Sequence, residues 1–182
     1  MNAARVELMA SAVGKIGGVT WHHLFLLGTD ASGKQSYLRA GPQCLPLESI
    51  AGRQGEFGDA LGEYEPSPAG PYGVITFSSG AYEPGGVDFD PVAANVVLAS
   101  GDAAAGLWEG LANAARALQD EEVPYDPIGT NANWASMELL RRCGAKPSLP
   151  PKRWAPGASL IAPAAATQDA ATRRLGQATM VV

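Results

Sequence analysis

Two short segments of the chain carry residue types that could do chemistry together, the pair His22-His23 and the sequence Asn131-Ala132-Asn133. At the start of a helix, unpaired N–H groups and the positive end of the helix dipole favour the thiolate form of a cysteine, and an adjacent imidazole completes its activation. Position 132 is predicted to be such a helix start, yet it holds alanine. The sequence therefore indicates a site for a nucleophilic thiol that this chain lacks.

The histidine pair precedes an apolar run, Leu24 to Leu27, which is typical of a buried strand. An imidazole acts as a base when it sits on a rigid element and a polar group engages its second nitrogen. The turn at residues 30–33 folds the next strand back against this one, which brings Gln35 or Arg39 into the neighbourhood of His23. Both are candidates for the orienting group.

Alternating apolar and polar residues, separated by turn residues, predict a three-stranded antiparallel meander near the N-terminus. Its strands are expected over Arg5 to Ser11, Thr20 to Gly28 and Gln35 to Arg39. Two further strands are expected: Tyr72 to Ser78, within a region of mostly structured loop from Gly41 to Pro91, and Ala93 to Ala99.

Two helices are predicted after the strands. Asp102 is expected to cap the first, which ends near Gln119 and places four apolar residues on one face: Leu107, Leu111, Ala115 and Leu118. The second begins near Asn131 and ends at Gly144, a C-cap glycine, with Ala135, Leu139 and Cys143 on one face. The predicted fold class is α+β, an antiparallel sheet packed against two main helices.

Composition excludes several classes of function. With 182 residues and 46% hydrophobic content, the chain can bury one core. A net charge of −5, and 13 Lys and Arg residues that form no long stripe, argue against nucleic-acid binding. No stretch approaches the roughly 20 apolar residues of a membrane span, and the N-terminal residues do not resemble a secretory signal.

The two cysteines, Cys44 and Cys143, cannot form a dense disulfide framework, and no Cys/His cluster has metal-ligand spacing. No metal or cofactor is therefore expected. Cys143 is predicted to be a core residue in the last turn of its helix. Cys44, on a loop after the third strand, is a minor alternative for the nucleophile.

The order and spacing of several segments resemble the circularly permuted papain-like hydrolases, relatives of the NlpC-type cell-wall peptidases and the lecithin retinol acyltransferase-like enzymes. The resemblance covers roughly residues 5 to 145. It rests on His23-Leu-Phe-Leu-Leu, Tyr37-Leu-Arg-Ala-Gly-Pro42, a helix containing Trp108, Tyr125-Asp-Pro-Ile, Asn131-Ala-Asn-Trp and Leu139-Leu140 followed by Gly144.

The resemblance implies a role for individual residues. In that family the nucleophile is a cysteine in an Asn-Cys-Asn-like motif, which corresponds to Ala132. The base corresponds to His23, which directly precedes the apolar run and leaves His22 on the opposite face of the strand. The third polar residue lies on the next strand, where Gln35 fits best and Arg39 is the competing choice.

The activity implied is that of a papain-like cysteine amidase or peptidase, acting on the peptide stems of bacterial cell wall and inactivated at position 132. A lipid hydrolase or acyltransferase of the same fold and a catalytically silent binding module are the alternatives. Since alanine is an excellent helix former, Ala132 is also compatible with an ordinary first turn. The surroundings that are otherwise intact, His23, Gln35, Asn131 and Asn133, favour an engineered replacement of an active cysteine over a natural pseudoenzyme that binds without cutting.

Residues 1–145 are expected to form the hydrolase domain, and residues 146–182, rich in Pro and Ala, an extended segment that packs on it or trails from it. The implied partners are a cell-wall peptide or other acyl substrate and, for an antibacterial type VI secretion effector, an immunity protein or a component of the secretion machine. Such an effector would be made in the bacterial cytoplasm, leave without a cleavable signal and act in the periplasm of a target cell.

Overall fold

The predicted N-terminal meander forms the centre of a five-stranded antiparallel sheet. The structure, a computed structural model, describes residues 3–16, 18–43, 69–86, 89–146, 148–151 and 153–158; Cys44 lies outside these ranges. The strands are β1 (Arg5–Ile16), β2 (Val19–Thr29), β3 (Gln35–Pro42), β4 (Ile75–Ala81) and β5 (Ala94–Ser100). Their order across the sheet is β4-β3-β2-β1-β5, and the coarse α+β class predicted from the sequence is confirmed.

The first two strands are longer than predicted because they pair continuously from Arg5 and Thr29 to the hairpin at Ile16 and Val19. A bulge between Ala12 and Gly14 absorbs one extra residue in β1. β4 begins three residues later than predicted, since Val74 forms an isolated bridge with Pro124 instead of joining the ladder to β3.

The main core lies between one face of the sheet and the two helices. Even-numbered residues of the central strands supply the sheet side of this core: Leu8, Ala10, Leu24, Leu26, Leu38 and Ala40. The other face carries a smaller cluster of Met9, Phe25 and Leu27, against which Tyr37 and Tyr82 pack. The strand Leu24 to Leu27 is therefore apolar on both faces because both faces are covered.

The first helix, α1 (Asp102–Asp120), presents Leu111, Ala115 and Leu118 to the core as predicted. The predicted cap is wrong by one residue. Gly101 is the N-cap, with φ of 64° and no side-chain cap hydrogen bond, so Asp102 is the first helical residue. Glycine adopts this left-handed conformation without steric cost, and the Asp102 carboxylate still lies at the positive end of the dipole.

The second helix, α2 (Ala132–Arg142), has Asn131 as its N-cap, and Gly144 follows it with φ of 71°, in the left-handed conformation typical of a helix C-terminus. An ion-pair cluster ties its last turn to the end of α1. There Arg142 donates to both carboxylate oxygens of Glu121, at 2.6 and 2.9 Å, and to Glu138 at 2.9 Å. In the described parts of the chain, no helix combines the length and the apolar character needed to cross a membrane.

Gly28 offers a test of how α1 packs on the sheet. A Cβ atom at Gly28 would lie 2.8 Å from the indole ring of Trp108, whereas a Cβ at Gly41 in the neighbouring strand would have no atom within 4 Å. Gly28→Ala should therefore lower the free energy of unfolding by about 1 to 3 kcal/mol through overpacking, as measured by urea denaturation. Gly41→Ala is the matched control, expected within about 0.5 kcal/mol of the parent; equal losses in the two variants would contradict this packing.

Candidate functional site

The N-terminus of α2 is held by Asn131, whose side chain makes four hydrogen bonds. Its Oδ1 accepts from the backbone N–H groups of Asn133 and Trp134, at 2.9 and 3.1 Å. Its Nδ2 donates to the carbonyl oxygens of Pro127 and Pro156, at 2.9 and 3.0 Å. This cap fixes where the helix starts and places residue 132 at its positive end.

The same helix is hydrogen-bonded to β2, on the side of the strand that faces β3. The pairing of β2 with β3 covers only Leu26 to Thr29, so the backbone of Leu24 needs other partners. Its N–H donates to Asn133 Oδ1 at 2.7 Å, and its carbonyl accepts from Ser136 Oγ at 3.0 Å. The Asn133 amide also donates to the His22 carbonyl at 3.0 Å, which brings the start of α2 beside the histidine pair.

The two histidines lie on opposite faces of the sheet, and the predicted assignment of faces is reversed. His23 shares its face with Phe25, with which it stacks at a centroid distance of 6.4 Å, and Phe25 belongs to the smaller cluster away from the helices. By the alternation of the strand, His22 shares the helix-facing side with Leu24, which belongs to the main core. His22 therefore lies on the side of the sheet that carries α2, and both histidines line the cavity at Ala132.

His22 has an environment suited to a base. Its ring is buried, and its Nδ1 lies 3.2 Å from the backbone carbonyl oxygen of Trp154, which also accepts the His22 backbone N–H at 3.0 Å. Because a carbonyl oxygen only accepts, Nδ1 carries the proton in this contact. The Nε2 of the neutral ring is then left with the lone pair that can take a proton.

His23 has the opposite character. Burial, with a further contribution from the positive charge of Arg39, lowers the pKa of His23 to about 4. Within the described part of the chain its Nε2 is buried without a hydrogen-bond partner. The ring therefore stays neutral at physiological pH and is part of the packing on the face away from α2.

Gln35, the predicted orienting residue, does not lie near the histidines. It pairs across the ladder with Thr29, and its Nε2 donates to the Thr29 hydroxyl at 3.4 Å. Thr29 is six residues beyond His23, a distance of roughly 20 Å along a strand. Arg39, the competing choice, is the closer of the two, since its charge acts on the pKa of His23.

A cavity of about 220 Å³ lies at the N-terminus of α2. Its lining is Val13, Trp21, His22, His23, Tyr125, Pro127, Asn131, Ala132, Asn133 and Pro156. Burial raises the pKa of the Tyr125 phenol, an effect that a hydrogen bond from the Ala132 backbone N–H opposes. The Tyr125 phenol is thus protonated at neutral pH, and its oxygen is in contact with the backbone of residue 132.

The described cysteine does not replace the missing thiol. Cys143 lies at the C-terminal end of α2, where burial raises the pKa of its thiol. It packs against the main core, as predicted, and faces Gly110 of α1. Among the described residues, no three His, Cys, Asp or Glu side chains are grouped closely enough to hold a metal ion.

Sequence reasoning missed three contributors to this site: His22 as the ring facing α2, the Trp154 carbonyl and the Pro156 carbonyl. Because Leu24 to Leu27 is apolar on both faces, alternation gave no indication of which histidine faces the helices. The signal available for Trp154 was its aromatic side chain, isolated in a Pro-rich segment. Comparison of the chain with protein-family models, with curated proteins and with solved structures produced no match.

The pKa of His23 predicts a contribution to acid sensitivity. The folded value of about 4 lies below the ordinary value of 6.5, so the unfolded chain takes up the proton first. Stability from this group is complete above pH 6.5 and is lost as the pH falls toward 4, by roughly 3 kcal/mol in total.

Urea denaturation of the parent and of His23→Asn, at pH 7 and at pH 4, measures this contribution. The variant should lose less stability on acidification than the parent, by up to that amount. Equal losses in the two proteins, or an NMR titration of His23 centred near 6.5, would contradict it.

Proposed function

We propose that the cavity at the N-terminus of α2 is the substrate site of a papain-like cysteine hydrolase fold, in which alanine occupies the position of the nucleophile. The observation that carries this proposal is the pairing of Ala132 and His22 in one small cavity. Residue 132 stands at a capped helix N-terminus, and the His22 ring has its second nitrogen engaged by a carbonyl. In the present form the chain binds an acyl substrate without cleaving it.

The chemistry follows from placing a thiol at residue 132. His22 Nε2 takes the thiol proton, and the thiolate attacks the substrate carbonyl carbon to form a tetrahedral intermediate. The C–N bond then breaks, the amine leaves with the proton from His22, and a thioester remains on the enzyme. Water, deprotonated by His22, attacks the thioester, releases the acid and restores the thiol.

Two donors at residue 132 favour acyl transfer. The backbone N–H of Ala132 donates to the Tyr125 phenol oxygen, and the O–H of the protonated phenol is itself a donor. Both are donors that a negatively charged carbonyl oxygen could accept from when the tetrahedral intermediate forms. The positive end of the α2 dipole acts in the same direction.

The substrate class we favour is the peptide stem of bacterial cell wall, cleaved by an amidase or peptidase. The support is the resemblance of the residue 5 to 145 segments to permuted papain-like hydrolases, together with the cavity of about 220 Å³ that residue 132 lines. An immunity protein or a secretion component as partner, and action in the periplasm, belong to this same proposal.

An acyl-lipid substrate is the second candidate, and one observation favours it. Four exposed apolar residues lie near the cavity mouth: Val13 in its wall, Val19 on the same hairpin, Ile128 beside Pro127, and Trp154 against Trp21. Ile128 is 75% exposed and Trp154 48% exposed. An apolar rim of this kind suits a lipid or acyl chain better than a polar glycopeptide.

Ala132→Cys tests the proposal directly. The introduced thiol should have a depressed pKa, so iodoacetamide should label it at neutral pH at least about tenfold faster than the cysteines of the parent protein. The variant should also release fragments from purified cell wall or, for the second candidate, fatty acid from phospholipid vesicles. Mass spectrometry of tryptic peptides measures the labelling at each position.

Two further variants in the Ala132→Cys background test the role of the base. His22→Ala should abolish hydrolysis and slow the labelling of residue 132, whereas Gln35→Ala, the matched control, should leave the labelling rate within about twofold, because Gln35 pairs with Thr29 and does not line the cavity. Labelling no faster than that of the parent cysteines, without hydrolysis of either substrate, would leave a silent binding module as the function.

A further inference from the structure

The segment 153–158 packs into the site and does not trail from the domain. Ala155 and Ala158 are both buried in the main core at 4% exposure. Trp154 forms a parallel bridge with Trp21, and the two indoles meet edge to face at a centroid distance of 5.1 Å. We call residues 153–158 the strap.

Carbonyl oxygens anchor the strap on both sides of the cavity. The Pro156 oxygen accepts from the side-chain amides of Asn131 and Asn133, each at 3.0 Å. The Trp154 oxygen accepts from both the backbone N–H and the Nδ1 of His22. A carbonyl oxygen has two lone pairs, so this pair of bonds uses its full capacity.

We propose that the strap is the orienting element of the site, in which the Trp154 backbone carbonyl does for His22 what a third polar side chain does in a catalytic triad. The role in catalysis rests on the function proposed above, whereas the orientation of His22 does not. The carbonyl fixes the ring in the Nδ1–H tautomer and leaves the Nε2 lone pair for a thiol at residue 132. Trp154 is thus a positioning residue that acts through its main chain.

A backbone carbonyl cannot be removed by changing its side chain, so the test must displace the strap. Gly157 permits this, because its φ is +84° and an added Cβ would lie 2.5 Å from Asn131 Oδ1 and 2.6 Å from the Gly129 carbonyl oxygen. Gly85 is a matched control in the loop after β4. Its φ is +87°, and an added Cβ there would have no atom within 4 Å.

The first measurement uses the parent protein. Long-range ¹H–¹⁵N NMR spectra of the imidazoles distinguish the two neutral tautomers, and uncharged His22 should be in the Nδ1–H form. The Nε2–H form in the parent would overturn the proposal at once, whatever the variants do.

The second measurement compares Gly157→Val with Gly85→Val. In Gly157→Val, His22 should lose the single tautomer and show the averaged signals of a free imidazole, while Gly85→Val should keep the parent spectrum. An unchanged His22 tautomer in Gly157→Val, with the contact between the Trp21 and Trp154 rings lost, would overturn the proposal. If circular dichroism shows that Gly157→Val does not fold, the proposal is tested by the His22 tautomer of the parent protein alone.

The third measurement separates this inference from the proposed function. In the Ala132→Cys background, Gly157→Val should slow iodoacetamide labelling of residue 132 by at least about tenfold, and Gly85→Val should not. Slow labelling of Ala132→Cys itself, with His22 still in the Nδ1–H tautomer, would refute the hydrolase and leave the strap's role intact. Fast labelling that Gly157→Val does not alter would refute the catalytic role of the strap and leave the hydrolase.

Discussion

The site depends on how the backbone of β2 is hydrogen-bonded on the side that faces β3, which is called the edge of β2 here. Buried backbone groups must find hydrogen-bond partners, and β3 supplies them only from Leu26 onward. For the preceding residues the partners come from Asn133 and Ser136 of α2 and from the carbonyl of Trp154. These hydrogen bonds to the backbone of β2 thus bring the start of α2 and the strap to the same place. Ala132 lies beside His22 because the residue after it, Asn133, is bonded to that edge.

Helices and strands whose apolar residues recur at a regular spacing could be predicted from the sequence. Segments whose conformation depends on tertiary contacts could not. The meander, the two helices and the end of α2 just before Gly144 follow from alternation, helical spacing and glycine at a left-handed position. The sequence did not show which histidine faces the helices, because Leu24 to Leu27 is apolar throughout. A shift of one residue in the assigned face changes the predicted base from His22 to His23. The strap has no period of its own. Its role comes from carbonyl groups, which every residue carries and which no sequence pattern marks.

The contacts around residue 132 also change what its alanine signifies. Asn131 caps α2, and Asn133 pairs the edge of β2, so both are needed to fold the domain whether or not a thiol is present. Their retention therefore does not indicate that a cysteine was lost recently. His22 is different, since an apolar side chain would fill a buried position without leaving a ring nitrogen to be engaged by Trp154. The fold therefore accounts for Asn131 and Asn133 more fully than for the His22 imidazole.

The bond between His22 and Trp154 joins residues 132 positions apart in the chain. The ribosome makes the histidine strand before the helix and the strap that complete its backbone hydrogen bonds. The base can be oriented only after residues 153–158 have emerged, so a nascent chain that lacks them has a site without its orienting carbonyl. For an enzyme of the proposed kind, this order of synthesis would make the strap the last part of the site to be added.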